Sequence, residues 1–424
     1  MRVSLPKLAL FFLVVFVLSS FIPTVYNRAT RVDRFSLSGD FSPLLKSFII
    51  WENSPDEMFF KTQKGELLEK AEAHKNMPFI FSSNVNKWGG FPLHVDNQTF
   101  SYEEAKRNSQ RMQLSPRYVF SKPMPLQILF ENTPFGTQFP LPKDVVIFKE
   151  KGLEFTTMSD GVVDAAKSLK FTKALSDAGL TFPIAYVATN PTPLKSFDEG
   201  MMLMDAKHKL FQLKMLNNEP FVRDMKINLP EKPLYMTLEE NSRKLYYGLI
   251  ATSSNVYIYT YNHELIELPL KGYEPKKHAV VIRMSPLYQS LIQTDISDKN
   301  VPVEYIATDT AFKPFSFYQQ RFPESIVETL ALNEKGLSFL TPLRLKQFSN
   351  TEGGIVFDMS LAEDKLFMGL GILLALFIYV GYSRFKHKAI NALSMLLIAL
   401  FGLPALIAIL VFGDVSQYAR KREN

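Results

Sequence analysis

His263-Glu264-Leu265-Ile266-Glu267 is the nearest approach to a metal-binding motif in this sequence. Two histidines one helical turn apart, with a glutamate between, can hold zinc and activate water; here Glu267 stands where the second histidine would be. His263 also follows Asn262 between two apolar runs, the place of a solvated turn residue. The remaining histidines, His74, His94, His208, His278 and His387, are scattered, so no metal site is expected. Acid–base chemistry needs converging carboxylates. The adjacent pairs Glu103-Glu104, Asp198-Glu199 and Glu239-Glu240 fall in polar turns or a helix start, and sequence neighbours point apart on a strand, so they read as solvated charge.

The chain has no cysteine, which excludes disulfides, thiolate metal sites and cysteine nucleophiles. It has no GxSxG elbow, no Walker A loop and no dinucleotide fingerprint. The expectation is therefore no catalytic residue, no cofactor and a non-enzymatic role. What remains is a tyrosine stripe, Tyr257, Tyr259 and Tyr261, that could form a sugar- or peptide-binding surface or pack between sheets. The turn Asp205–Lys209 is a further candidate for contact. Lys276-Lys277-His278 reads as a solvated loop, and a net charge of +6 without a dense basic stripe argues against nucleic acid.

The elements that position these residues are β-strands. Phe211, Leu213 and Met215 alternate with Gln212 and Lys214, and Tyr257, Tyr259 and Tyr261 alternate with Ile258 and Thr260, the period of a strand. Each run is flanked by short polar turns, and the unit of three runs recurs from Gly200 to Gly248. Weaker echoes lie at Val145–Met158, Val303–Tyr318, Phe48–Thr62 and Gly336–Phe348. Meanders at such spacing predict a mainly β chain, propeller-like in the first place, with a β-sandwich or a stacked-sheet domain as the alternative. A capping box at Ser101 and Glu104 opens a helix to about Met112, and Asp160–Ala178 reads as a second helix stopped by Gly179. The proline-rich stretch Ser115–Pro142 reads as a covering loop.

Three apolar segments set the class: Leu8–Ile22, Leu366–Tyr382 and Ala389–Gly413, the last with Gly402 and Pro404 as a kink. They predict a membrane protein. Residues 1–25 are an anchor or signal segment, and 26–142 are the first part of a β-rich domain, with the short helix and the proline-rich loop. Residues 143–364 are the repeated meanders, 365–413 two transmembrane helices, and 414–424 a basic tail. With a kinked crossing at the end, Arg2, Lys7, Arg384, Lys386 and Lys388 flank one side. Arg28, Arg31, Arg34, Arg420, Lys421 and Arg422 flank the other, a near tie for the positive-inside rule. Signal-like order at the start favours an exported domain, on a multi-pass protein of a bacterial inner membrane. The spans hold no charge that would mark a transport path; Asn391 and Ser394 are their notable polar groups, and Gly369 and Gly371 would allow close helix approach.

Phe41–Phe60, Asn190–Met215 and Tyr246–Pro275, followed by a terminal pair of spans, resemble a family of uncharacterised membrane-anchored proteins with a domain of unknown function, associated with Bacteroidota. Its motifs are structural and bring no catalytic residues with them. The resemblance implies neighbourhood to ABC-type transporters, and so an accessory role beside an ATPase subunit and a permease. The functional expectation is a membrane-anchored binding or accessory subunit. The alternative is an envelope hydrolase of glycan or peptide, its site assembled only by the fold.

Overall fold

The runs around Gly200 and Gly248 form two antiparallel meanders. Met201–Met204, Lys209–Leu216 and Glu219–Asn228 pair in order, and Tyr186–Thr189 adds a strand in front. Tyr246–Ala251, Val256–Thr260 and Leu265–Glu267 do the same behind Tyr235–Met236. The turns between them carry His208, Asn217, Asn218 and His263 at positive φ, a conformation that short polar side chains tolerate best. Gly200, at φ +71°, precedes its strand, and a Cβ there would lie 2.1 Å from the Leu213 carbonyl oxygen. Gly248 instead lies inside its strand, where the register shifts after Tyr246.

This computed structural model describes residues 5–30, 35–54, 57–120, 126–133, 139–349 and 355–414. Five antiparallel sheets of four or five strands dominate it. The first holds Ser36–Ser42, Ser47–Asn53, Met58–Thr62 and Leu67–Leu68; the second holds Leu126–Gln127, Asp144–Lys149, Gly152–Thr157 and Val163–Asp164. The meanders above are the third and fourth. The fifth runs through His278–Met284, Gln289–Asp295, Val303–Thr308 and Pro314–Gln320, and takes Gln110–Leu114 as an added edge strand beside His278–Met284. Buried clusters join second to third sheet, third to fourth, fourth to fifth, and fifth to first.

Stacking covers both faces of these strands. Phe211, Leu213 and Met215 face the second sheet while Leu210 faces the fourth, so both faces of the strand are covered. The sheets form a mainly antiparallel stack. The propeller-like expectation is corrected, because among the described residues no barrel or ring closes: the far face of the first sheet is capped instead by Ala73 of a helix and Met77 just past its end.

The helices are α1 (Leu5–Thr30), α2 (Lys70–Asn76), α3 (Ser82–Lys87), α4 (Tyr102–Arg107), α5 (Pro116–Val119), α6 (Ala165–Asp177), α7 (Glu324–Leu340), α8 (Lys365–Phe385), α9 (Ala392–Phe401) and α10 (Leu403–Phe412). The Ser101–Glu104 capping box is formed, but α4 ends at Arg107 because Gln110–Leu114 is claimed by the fifth sheet. α6 begins after Asp164, whose carboxylate caps Lys167 N–H. Two expectations change. The echo at Gly336–Phe348 is no meander, since Gly336–Leu340 ends α7 before the strand Leu343–Ser349. The stretch Ser115–Pro142 is not all loop: it holds α5 and an edge strand of the second sheet.

α1 and α8 are long and apolar enough to cross a membrane, with 22% of each candidate span buried. An apolar helix left so uncovered by protein suits lipid better than a soluble core. The third apolar segment is two ten-residue helices, α9 and α10, broken at Gly402 with φ +61°, rather than one continuous helix. The tail from residue 415, including Arg420, Lys421 and Arg422, lies outside the described residues. The Phe339 carbonyl of α7 packs on Gly371 of α8, where a Cβ would lie 1.9 Å away.

Candidate functional site

The strand His278–Met284 pairs with Gln110–Leu114 so that Arg283 stands directly opposite Arg111. Directly opposed residues on neighbouring strands share a face, and like charges there repel. Both arginines line a cavity of about 250 Å³ with Asp40, Phe79, Ser109, Gln110, Ser285 and Tyr288. Arg283 is anchored by its guanidinium: Nη1 donates to the Gly39 carbonyl (2.5 Å), Nη2 donates to Ser38 Oγ (2.9 Å), and its plane lies 4.7 Å from the Trp51 ring. Arg111 is exposed at the edge strand and, among the described residues, has no comparable anchor.

Among the described residues, Asp40 supplies the one negative charge lining this cavity. It is 2% exposed and accepts from Phe41 N–H (2.9 Å). Burial pushes its carboxyl up to about 6, against the pull of Arg283 and a hydrogen bond from Ser290. Burial likewise lowers the Arg283 guanidinium, with Arg111 adding to that effect and Asp40 opposing it. Two arginines against one carboxylate leave the charge lining this cavity in positive excess.

Arg111 also lines a second cavity of about 370 Å³, with Tyr118, Thr189, Asn190, Tyr235, Thr237 and Glu239. Burial raises the Glu239 carboxyl there. Behind Asn190 lies a closed charge cluster. Lys195, with a side chain 3% exposed, pairs with Asp198 and with Glu240 (3.1 Å) and donates to the Asn190 carbonyl (3.0 Å). Asp198 accepts also from Asn132 (2.5 Å), and Glu240 accepts from Asn190 Nδ2 (2.9 Å) and Glu199 N–H (2.6 Å). Glu199 in turn pairs with Lys214 (2.5 Å) and accepts from Gln212 (2.7 Å). Burial pushes the Glu240 carboxyl up, and Asp198 beside it adds to the push against the Lys195 ammonium.

The carboxylate pairs expected in solvent therefore divide. Glu103-Glu104 is exposed at the start of α4, as expected. Asp198-Glu199 and Glu239-Glu240 are not solvated turns, because loop partners distant in sequence bury them. Two of the three stripe tyrosines are interior. Tyr257 and Tyr259 belong to the core, Tyr259 donating to the Thr237 carbonyl, and Tyr261 stacks on Tyr247 at 3.9 Å and donates to Glu199 (3.3 Å). Tyr257 and Tyr259 therefore offer no exposed binding face, since both faces of Val256–Thr260 are covered, while Tyr261 beyond the strand is half-buried. Asp205 is also buried and closes its own turn by accepting from Lys207, Lys209 and Thr181 N–H groups. His263 Nδ1 meets the Met225 carbonyl (3.1 Å), and among the described residues no group of acids and histidines could hold a metal. Sequence reading missed Asp40, Arg111 and Arg283. No local pattern marks them, and only strand register brings Arg111 to Arg283.

The sequence matches the family described as Domain of unknown function (DUF4857) over residues 40–305. That stretch runs from the first sheet into the fifth and takes in Asp40, Arg111 and Arg283; it stops short of α1 and of α7–α10. The match spans more than half of the chain, which belongs to this family. No curated protein matches the chain significantly.

Proposed function

We propose that this member of the family is a membrane-anchored binding subunit whose β-domain takes a small anion, of the carboxylate or phosphate kind, between Arg111 and Arg283. One observation carries the reading: two arginines held directly opposite each other, over a cavity with a single buried carboxylate. Unfilled, that arrangement costs repulsion; filled by an oxyanion, it offers two charge-assisted donors. The anchor is α1 together with α8. Retention of α1 as an anchor is supported by its packing: Asn333 of α7 donates to Asn27 (3.0 Å), and Phe11 and Val15 pack against α10.

A hydrolase using two carboxylates would need a second acid beside Asp40, and the lining of the arginine cavity offers none. The accessory role beside an ATPase subunit and a permease rests on the resemblance alone. The test is calorimetric titration of the detergent-solubilised full chain with phosphate, citrate and a sugar phosphate. Saturable binding that weakens steeply with salt, and at least tenfold in Arg111→Ala, supports the reading. No binding of any of the three in the wild-type chain sinks it. A mild-detergent pull-down from native membranes decides the accessory role: recovery of the protein alone removes it.

A further inference from the structure

The α9–α10 segment bears on which side of the membrane each part of the chain occupies. Ser394 lies in the first turn of α9, and Asp414 lies two residues past the end of α10. Ser394 Oγ donates to Asp414 Oδ1 at 2.7 Å. In one continuous helix these residues would be about 30 Å apart. They meet because the chain reverses at Gly402, whose left-handed backbone a side chain would disfavour, with Pro404 opening the return arm. Each arm of ten residues is about 15 Å long, half of a hydrocarbon core of about 30 Å.

A polar knot ties the two ends of this hairpin to α8. Tyr379 Oη donates to the same Asp414 oxygen at 2.6 Å and accepts from Asn391 N–H at 3.0 Å. Asn391 also caps α9 through Ser394 N–H. Ser394 and Asp414 are buried, so a carboxylate of this apolar bundle accepts two side-chain hydrogen bonds where the arms begin and end. The tip points the other way: a Cβ on Gly402 would lie 2.4 Å from Pro342, at the junction with the β-domain. The inner arm packs Ala405, Leu406, Ala408 and Ile409 against α1 and α8.

We infer that α9–α10 is a re-entrant hairpin: it enters from the side reached by the end of α8 and leaves on that same side, with the β-domain on the opposite, exported side. The inference uses the membrane part of the reading above and nothing of its anion site. It also removes the near tie in flanking charge. With α1 and α8 as the crossings, Arg2, Lys7, Arg384, Lys386 and Lys388 share a side with the tail residues Arg420, Lys421 and Arg422. Arg28, Arg31, Arg34 and Lys365 flank the other side, so the positive-inside rule now places both termini in the cytoplasm. The cavity at Arg111 and Arg283 then meets solutes outside the cytoplasm.

The absence of cysteine gives a clean background for site-directed labelling. Single variants Ser159→Cys in the β-domain, Lys388→Cys after α8 and Asn424→Cys at the end of the tail are expressed in the full chain. Spheroplasts are treated with a membrane-impermeant maleimide, before and after permeabilisation. The expected result is labelling of Ser159→Cys in intact spheroplasts, and of Lys388→Cys and Asn424→Cys only after permeabilisation. Labelling of Asn424→Cys together with Ser159→Cys, with Lys388→Cys protected, overturns the hairpin. Labelling of Lys388→Cys and Asn424→Cys without Ser159→Cys overturns the orientation. A C-terminal fusion of a phosphatase that is active only when exported gives a reading free of thiol chemistry: inactivity is expected, and activity overturns the inference.

Discussion

The Lys195 cluster and the Arg111–Arg283 cavity bury the same kinds of group to different ends. Around Lys195, three carboxylates (Asp198, Glu199 and Glu240) face two ammoniums, those of Lys195 and Lys214, and Lys195 spends its donors on two carboxylates and a carbonyl. The surplus negative charge is absorbed internally, by a Glu240 carboxyl pushed toward its neutral form. Around Arg283, two guanidiniums face one carboxylate, and one of them, Arg111, is exposed. That surplus is positive, and an arginine cannot shed its proton to remove it. A closed network fastens loops together; an unbalanced one beside a cavity is what the proposed binding of an anion rests on.

The comparison breaks most readily at Lys195. Lys195→Ala leaves Asp198 and Glu240 buried without a counter-charge, and the expected loss is about 3–5 kcal/mol of unfolding free energy, read by urea titration. Replacing the group together, Lys195→Met with Asp198→Asn and Glu240→Gln, is expected to recover most of that loss. If the single variant costs under 1 kcal/mol, the cluster is no staple and the contrast with the cavity fails.

Asp40 comes next. Its folded pKa, about 6, lies above the ordinary carboxylate value, so the native state holds a proton that the unfolded chain releases. The stability this contributes is present in full below about pH 4 and is lost as pH rises through about 6, a decline of about 3 kcal/mol. Asp40→Asn is expected to flatten that stretch of the stability–pH curve. A wild-type curve that rises between pH 4 and pH 6 while the variant's stays flat would mean Asp40 is instead a stabilised anion.

How much of this was legible divides along the same line. The strands Lys209–Leu216 and Val256–Thr260 and their turns at His208, Asn217 and His263 were readable because alternation and small polar turns are local. The burial of Asp198 and Glu240 was not, since it depends on Asn132 and on partners more than forty residues away in sequence. Arg111 and Arg283 come together only through a strand that leaves its own neighbourhood to join the fifth sheet. At the membrane end, Gly402 and Pro404 announced a break, but one break suits a kink as well as a reversal. Asp414 meeting Ser394 decides between them, and that contact has no signature in composition or period.

Arg111→Ala is expected to have the smallest effect on stability and the most specific effect on binding. Arg111 is exposed and stands opposite a like charge, so its removal deletes repulsion as well as contacts. The expected change in unfolding free energy is within about 0.5 kcal/mol, as for surface substitutions elsewhere. Loss of one charge-assisted donor to a bound oxyanion should cost about 1.5–3 kcal/mol, or roughly ten- to a hundredfold in affinity. Paired thermal melts and phosphate titrations of wild type and variant give both numbers from the same preparation. A large fall in stability with unchanged affinity would make Arg111 part of the scaffold. The cavity would then be a second closed network, and the difference between the two regions would be one of degree.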